Sequence, residues 1–180
     1  MRIISGKYKG RLIKMPKGIR PTQNKVRKAL FDILGDIKGL SFLELFAGSG
    51  AVGIEALSKG AKEVVFVEED RRCVEQIKEN LKLIGLLSYP VMALDIAKAL
   101  KNLAEKKKNF DIVFLDPPYY EGLAKKTLQN LGACDIVAPN GFVIVQHFKK
   151  DDLPEASGDL VLFKQAKYGD TVLSFYKCAR

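Results

Sequence analysis

The sequence predicts a doubly wound α/β fold, and three observations carry that prediction. From about residue 41 onward, short apolar runs of strand length alternate with stretches of helical periodicity. The runs Val64-Val65-Phe66-Val67, Ile112-Val113-Phe114-Leu115 and Phe142-Val143-Ile144-Val145 are continuous, as in strands buried on both faces of a parallel sheet. Glu68 and Asp116 follow the first two of these runs, at the strand ends where open α/β sheets bind their ligands.

Composition bounds the class. A chain of 180 residues is long enough for one domain with a full core. No apolar run approaches the roughly 18 residues of a membrane span, and the opening Met1-Arg2-Ile3-Ile4-Ser5-Gly6-Lys7 lacks the apolar region of a secretory signal. Cys73, Cys134 and Cys178 are odd in number and far apart, the pattern of reduced cytoplasmic thiols, and a single histidine argues against a structural metal site. The net charge of +9 is concentrated: residues 1–40 hold eleven Lys/Arg and two Asp/Glu, whereas residues 41–180 hold nineteen of each. This predicts a basic nucleic-acid-contacting extension over 1–40 and a catalytic domain over 41–180.

In chain order, Arg2 to Lys14 alternates and predicts a small β-hairpin about Gly6 or Gly10, with Lys7, Lys9, Arg11 and Lys14 along it beside Tyr8. A helix follows Arg20-Pro21-Thr22, with Thr22 as N-cap, Val26, Ala29, Leu30, Ile33 and Leu34 as buried face, and Lys25, Arg27 and Lys28 off that face. Gly35 or Gly39 stops it. The stretch Ser41 to Gly53 reads as strand, glycine turn and helix, with Gly48, Gly50 and Gly53 in a G-x-G-x-x-G spacing. Glu44 inside that strand discourages a pyrophosphate and suits a ligand with a cationic end, such as an amino acid's α-amino group. Glu68 closes the second strand, about twenty residues past Gly48, where a carboxylate can hold ribose hydroxyls. Glu69 or Asp70 caps the next helix, whose stripe is Val74, Ile77, Leu81 and Ile84. Pro90 to Leu94 reads as a third strand. Asp95 after it either accepts from an adenine amine or caps the helix Ile96 to Leu103.

Ile112 to Leu115 then runs into Asp116-Pro117-Pro118-Tyr119-Tyr120. Neither proline can donate to a ladder, and residues before proline avoid the helical region. The result is a stiff turn offering a carboxylate, a carbonyl and a tyrosine ring. Two acceptors beside an aromatic plate suit the exocyclic amine of a nucleobase. Each N–H finds an acceptor, and the nitrogen lone pair turns toward an electrophile. After a helix over about Leu123 to Leu131 and a strand over Gly141 to His147, two strands (Asp159 to Ala166 and Thr171 to Tyr176) close the chain as an antiparallel hairpin. His147 reads as an ordinary hydrogen-bonded histidine.

An amino-acid carrier, a ribose, an adenine and a reacting base, taken in the order Glu44, Glu68, Asp95, Asp116, spell S-adenosylmethionine with an acceptor beside it. At this point Glu44-Leu45-Phe46-Ala47-Gly48-Ser49-Gly50, Glu68 and Asp116-Pro117-Pro118-Tyr119 resemble the motifs of amino-directed class I methyltransferases. Arg2 to Arg11, Arg20-Pro21-Thr22, Val26-Arg27-x-x-Leu30-Phe31 and the closing Tyr168-Gly169-Asp170 narrow the likeness to RsmD-type 16S ribosomal RNA guanine-N2 methyltransferases. The resemblance implies a Rossmann-like sheet and transfer to the guanine at position 966 of small-subunit rRNA, met within the small subunit or a late assembly intermediate. It further implies a monomer that needs no metal and no membrane. Carried onto this sequence, it implies catalytic roles for Asp116, Pro117 and Tyr119. It implies cofactor contacts from Thr22, Glu44, Phe46, Gly48, Gly50, Glu68, Asp95 and Asp116. RNA contacts are implied for Arg2, Lys7, Lys9, Arg11 and Arg20. Gln146 departs from the pattern, where a Glu is expected. Three rivals remain at this point: an adenine-N6 methyltransferase on RNA or DNA, a nicotinamide-dependent oxidoreductase and a catalytically idle RNA-binding assembly factor.

Overall fold

The computed structural model describes residues 1–18, 23–87, 89–119 and 122–180, in two compact units, Met1–Asp95 and Ile96–Arg180. Thr22 and Arg20, as expected cofactor and RNA contacts, and Tyr120 lie outside the described residues.

The first unit carries α1 (Asn24–Leu34), β1 (Ser41–Leu45), α2 (Ala51–Ser58), β2 (Glu63–Val67), α3 (Arg71–Leu83) and β3 (Val91–Met92). Its strands are parallel in the order β3-β2-β1, with Leu45 opposite Val67 and Phe66 opposite Val91. All five residues of β1 are buried, as a central strand of a parallel sheet requires. β3 is shorter than the expected Pro90 to Leu94. Its two residues are half-buried, its flanks Pro90 and Ala93 are exposed, and Pro90 contributes only a carbonyl, which accepts from Phe66 N–H at 3.4 Å.

Two expectations for the N-terminal region are corrected. The hairpin is shorter than expected: it has one antiparallel bridge, Arg2 with Leu12, and its arms are joined by backbone bonds from Ile3 N–H to the Arg11 carbonyl, Gly10 N–H to the Ile3 carbonyl and Ile13 N–H to the Met1 carbonyl. Its inner backbone groups turn to side chains of α2 instead. Ile4 N–H and Ser5 N–H donate to the Glu55 carboxylate at 2.9 and 2.7 Å, and Tyr8 N–H donates to Ser58 Oγ at 2.9 Å. Gly6, at a φ of 76°, lies so close to the Ser58 carbonyl that a Cβ there would fall 1.9 Å from the oxygen.

The second correction concerns α1. Its buried face is Val26, Arg27, Leu30 and Phe31, rotated from the expected stripe, with Gln23 in the N-cap position and Gly35 ending it at a φ of 70°. Arg27 is not on a basic outer face but fully buried. Its Nε lies 3.4 Å from Glu55, and its Nη2 donates to the Arg2 carbonyl at 2.6 Å. Burial pushes the guanidinium pKa below its ordinary value, while Glu55 and then Glu44 pull it up. Phe31 stacks on Phe42 of β1, with centroids 6.4 Å apart, which completes the reason for the rotation.

The second unit carries α4 (Ile96–Glu105), β4 (Phe110–Leu115), α5 (Leu123–Ala133), β5 (Val137–Phe148), β6 (Ala156–Ser157), β7 (Leu160–Tyr168) and β8 (Thr171–Cys178). β4 pairs parallel with β5, β5 antiparallel with β8, β8 with β7, and β7 with β6. The closing hairpin is therefore present, turning at Gly169 with a φ of 64°. β6 is an addition that two residues without a distinctive pattern do not announce. Ile112 to Leu115 and Val143 to Val145 are almost wholly buried, and Leu100, Leu103, Leu128 and Leu131 supply helical core. Among the described residues no helix is long and apolar enough to cross a membrane.

Candidate active site

In the first unit, the predicted ligand residues gather around the loop between β1 and α2. Phe46 holds a φ of 57°, an outlier for a bulky residue at a cost of about 1–2 kcal/mol. Gly48 and Gly50 follow at 55° and 73°, the latter as N-cap of α2. Two carboxylates hold the loop. Glu68 accepts from Gly48 N–H at 2.8 Å and from Asp70 N–H at 2.9 Å. Glu44 is 3% exposed and accepts from Val52 N–H at 3.3 Å and Gly53 N–H at 2.9 Å, satisfying donors at the start of α2. Glu44, the residue expected to meet a cationic ligand, thus also closes the start of a helix, and the charge of Arg27 favours its ionised form. A Cβ on Gly53 would fall 2.4 Å from Phe66 and 2.7 Å from Glu44, so the third glycine serves close packing.

Asn80 is a residue that sequence reasoning missed. It is 1% exposed on α3 and donates from Nδ2 to the Ser49 carbonyl and to the Lys14 carbonyl, both at 2.9 Å, while its Oδ1 accepts from Lys14 N–H. One side chain thus fastens both the glycine loop and the basic segment. Its only sequence signal was an amide on the inner face of an amphipathic helix. Asp70 is the N-cap of α3, accepting from Arg72 N–H at 2.8 Å. Asp95 is half-buried and immediately precedes Ile96.

Arg2, Lys7, Lys9 and Arg11 are all exposed on the N-terminal segment. The Lys7 ammonium and the Arg11 guanidinium lie 5.3 and 5.6 Å from the Tyr8 ring centroid. The eleven cations of residues 1–40 therefore include one, Arg27, that never reaches the surface.

In the second unit, Asp116 emerges half-buried from the wholly buried end of β4, followed by buried Pro117 and exposed Pro118. Gln146 at the end of β5 donates from Nε2 to Asp116 Oδ2 at 2.9 Å. The parallel register places Leu115 opposite Val145, so the next residue of each strand meets the other. Tyr119 is fixed at both ends: its hydroxyl lies 3.0 Å from Thr171 Oγ1, and its ring meets Phe148 at 5.9 Å between centroids. A cavity of about 100 Å³ adjoins Pro117, Pro118 and Tyr119, with Leu123, His147 and Asp151 among its other walls. His147 is buried, with Nε2 2.8 Å from Ser174 Oγ and Nδ1 2.9 Å from the Phe148 carbonyl. Burial pushes its pKa below the ordinary 6.5, and both ring nitrogens are engaged, which matches the hydrogen-bonded reading.

A strand-end carboxylate locked beside a pinned tyrosine is a geometry that relatives can be asked about. A family model described as "Conserved hypothetical protein 95" matches residues 1–177. The chain belongs to that family. Among its relatives, the Bacillus subtilis "Putative rRNA methyltransferase YlbH" is 39% identical, with 98% of each chain covered. The "Ribosomal RNA small subunit methyltransferase D" of Escherichia coli K12 is 32% identical over 98% of this chain and 89% of its own length. In three dimensions, the "Putative methyltransferase yhhF" of Escherichia coli superimposes with a TM-score of 0.86 at 31% identity, over 100% of this chain and 99% of that one. The fold is thus the Rossmann-like α/β sheet of the class I methyltransferases, and several curated relatives carry rRNA methyltransferase names. The likeness extends through the basic N-terminal segment as well as the β-α alternation.

Proposed function

We propose that this protein transfers a methyl group from S-adenosylmethionine to the exocyclic N2 of a guanine in 16S ribosomal RNA. By family resemblance the target is the guanine at position 966. The observation that carries the reading is the Asp116-to-Tyr119 turn, a half-buried carboxylate and a ring pinned by Thr171 and Phe148 at the end of a buried strand.

The first unit's residues fit such a donor. Phe46, Gly48 and Glu68 are half-buried just past β1 and β2, whose closing residues are fully buried, and Asp95 is half-buried beyond β3. A carboxylate has about four lone-pair positions, so Glu68 can accept ribose hydroxyls beyond its two backbone bonds. Asp95 accepts from the adenine amine, and Glu44 acts through the loop it holds. S-adenosylmethionine, when bound, supplies a methyl group on a positively charged sulfur, with a neutral thioether as leaving group. Asp116 and the Pro117 carbonyl accept the two N–H groups of the guanine amine, and Tyr119 stacks on the base. Fixing the amine in this way supplies most of the acceleration through proximity and orientation. The guanine has to be unpaired or turned out of its stack, because a paired amine is not available. Residues 1–40 contact RNA through exposed Arg2, Lys7, Lys9 and Arg11.

The test is transfer of labelled methyl to small ribosomal subunits, naked 16S rRNA and DNA, each lacking the modification, followed by separation of the nucleosides. Label in N2-methylguanosine is expected, with Asp116→Ala reducing the rate by roughly 10²-fold or more while sparing RNA affinity. Label in N6-methyladenine would overturn the acceptor but keep the donor. Neutralising Lys7, Lys9 and Arg11 together should lower the salt slope of RNA binding by about 2 to 3. An unchanged slope would remove the segment from the interface.

A further inference from the structure

We infer that Gln146 is a positioning residue, whose side-chain amide fixes the rotation of the Asp116 carboxylate against the acceptor amine. This rests on the acceptor reading proposed above.

The argument starts from an imbalance in the Gln146 amide. The side chain is 5% exposed, and its two polar ends fare differently. Nε2 donates to Asp116 Oδ2 at 2.9 Å, whereas Oε1 is buried with no hydrogen-bond partner. The assignment of the two ends is forced: an ionised carboxylate only accepts, so the nitrogen faces Asp116 and the oxygen is turned away. Buried acceptors without partners are rare in folded proteins because each forfeits its hydration for nothing. A leucine or methionine of similar size would fill this place on β5 without that loss, among Ile144, Val145 and Leu173, which are fully buried. The amide is therefore a poor choice for the fold alone. What it secures is one bond, to the carboxylate that ends β4. Pro117 fixes the backbone at Asp116 but not the rotation of its carboxylate. Asp116 is half-buried at the mouth of the turn, and the Gln146 donor behind it holds Oδ2 in one direction. Residues that break a packing rule without benefit to the fold are expected at functional sites.

The full chain carries the test. Gln146→Leu and Gln146→Met are compared with wild type and Asp116→Ala for thermal midpoint, donor affinity, and kcat and KM on the acceptor that takes label. The expected result is an unusual pairing: a midpoint unchanged or raised by about 2–4 °C, with kcat reduced roughly 10- to 100-fold. KM for the RNA and donor affinity stay within about twofold of wild type, because the lost function is orientation of a bound amine. A kcat equal to wild type in either variant overturns the inference. So does a lowered midpoint in both, which would make Gln146 a structural residue. Full activity in Asp116→Ala, or no transfer by wild type on any acceptor, overturns the acceptor reading and this inference with it. An inactive Asp116→Ala beside fully active Gln146 variants removes this inference alone.

Discussion

The glycine loop after β1 and the proline turn after β4 both leave the carboxyl end of a buried strand, yet they are held in opposite ways. The loop of Phe46 to Gly50 is backbone bent into positive φ, and side chains from elsewhere in its unit keep it there: Glu44, Glu68 and Asn80. The turn of Asp116 to Tyr119 is stiff by its own covalent chemistry, and neighbours serve to aim its side chains: Gln146 at Asp116, Thr171 and Phe148 at Tyr119. The carboxylates of the first region tie backbone N–H groups, whereas Asp116 in the second takes its bond from a side-chain amide.

That contrast can be broken, and the largest effect is expected at Glu44. Glu44→Ala strips acceptors from two buried N–H groups of α2 and one counter-charge from Arg27, and should cost about 2–4 kcal/mol in urea unfolding. A loss below about 1 kcal/mol would mean that the loop holds itself. Glu68→Ala removes two part-buried bonds and should cost about 1–2 kcal/mol, together with a weakened donor affinity. If affinity falls while stability stays, the carboxylate serves the ligand rather than the loop. In the turn, Asp116→Ala should cost about 1 kcal/mol, from the Gln146 donor left behind, despite its large effect on transfer. A stability loss as great as that of Glu44→Ala would erase the distinction.

The smallest effect sharpens the picture behind the turn. Burial lowers the folded-state pKa of His147 from 6.5, so below about pH 6.5 the unfolded chain binds a proton that the folded chain refuses. Stability therefore falls as pH drops through that range and recovers above it. His147→Asn should flatten this part of the profile between pH 7.5 and 5.5. A variant profile parallel to wild type would place the sensitivity elsewhere.

How much of this was legible follows from the same contrast. Prolines, glycines and continuous apolar runs act over a few residues, so β1, β2, β4, the glycine loop, the proline turn and the closing hairpin were all readable in advance. The expected face of α1 was not, because Arg27 counts as polar in any periodicity and only Glu55, twenty-eight positions on, makes its burial tolerable. Ile4 and Ser5 likewise donate to Glu55 rather than across the hairpin, which is why its backbone pairing stops at Ile3.

The sequence by itself determined the β-α alternation, the strand-end placement of Glu68 and Asp116, and the concentration of positive charge in the first forty residues. Each of these depends on backbone conformation or on counting charge. Only the tertiary structure decided which carboxylates tie backbone and which face outward, that one of the N-terminal cations is core, and that Gln146 stands behind Asp116. Those are questions of which desolvated polar group finds which partner, and the partners lie tens of residues apart, where no local pattern reaches.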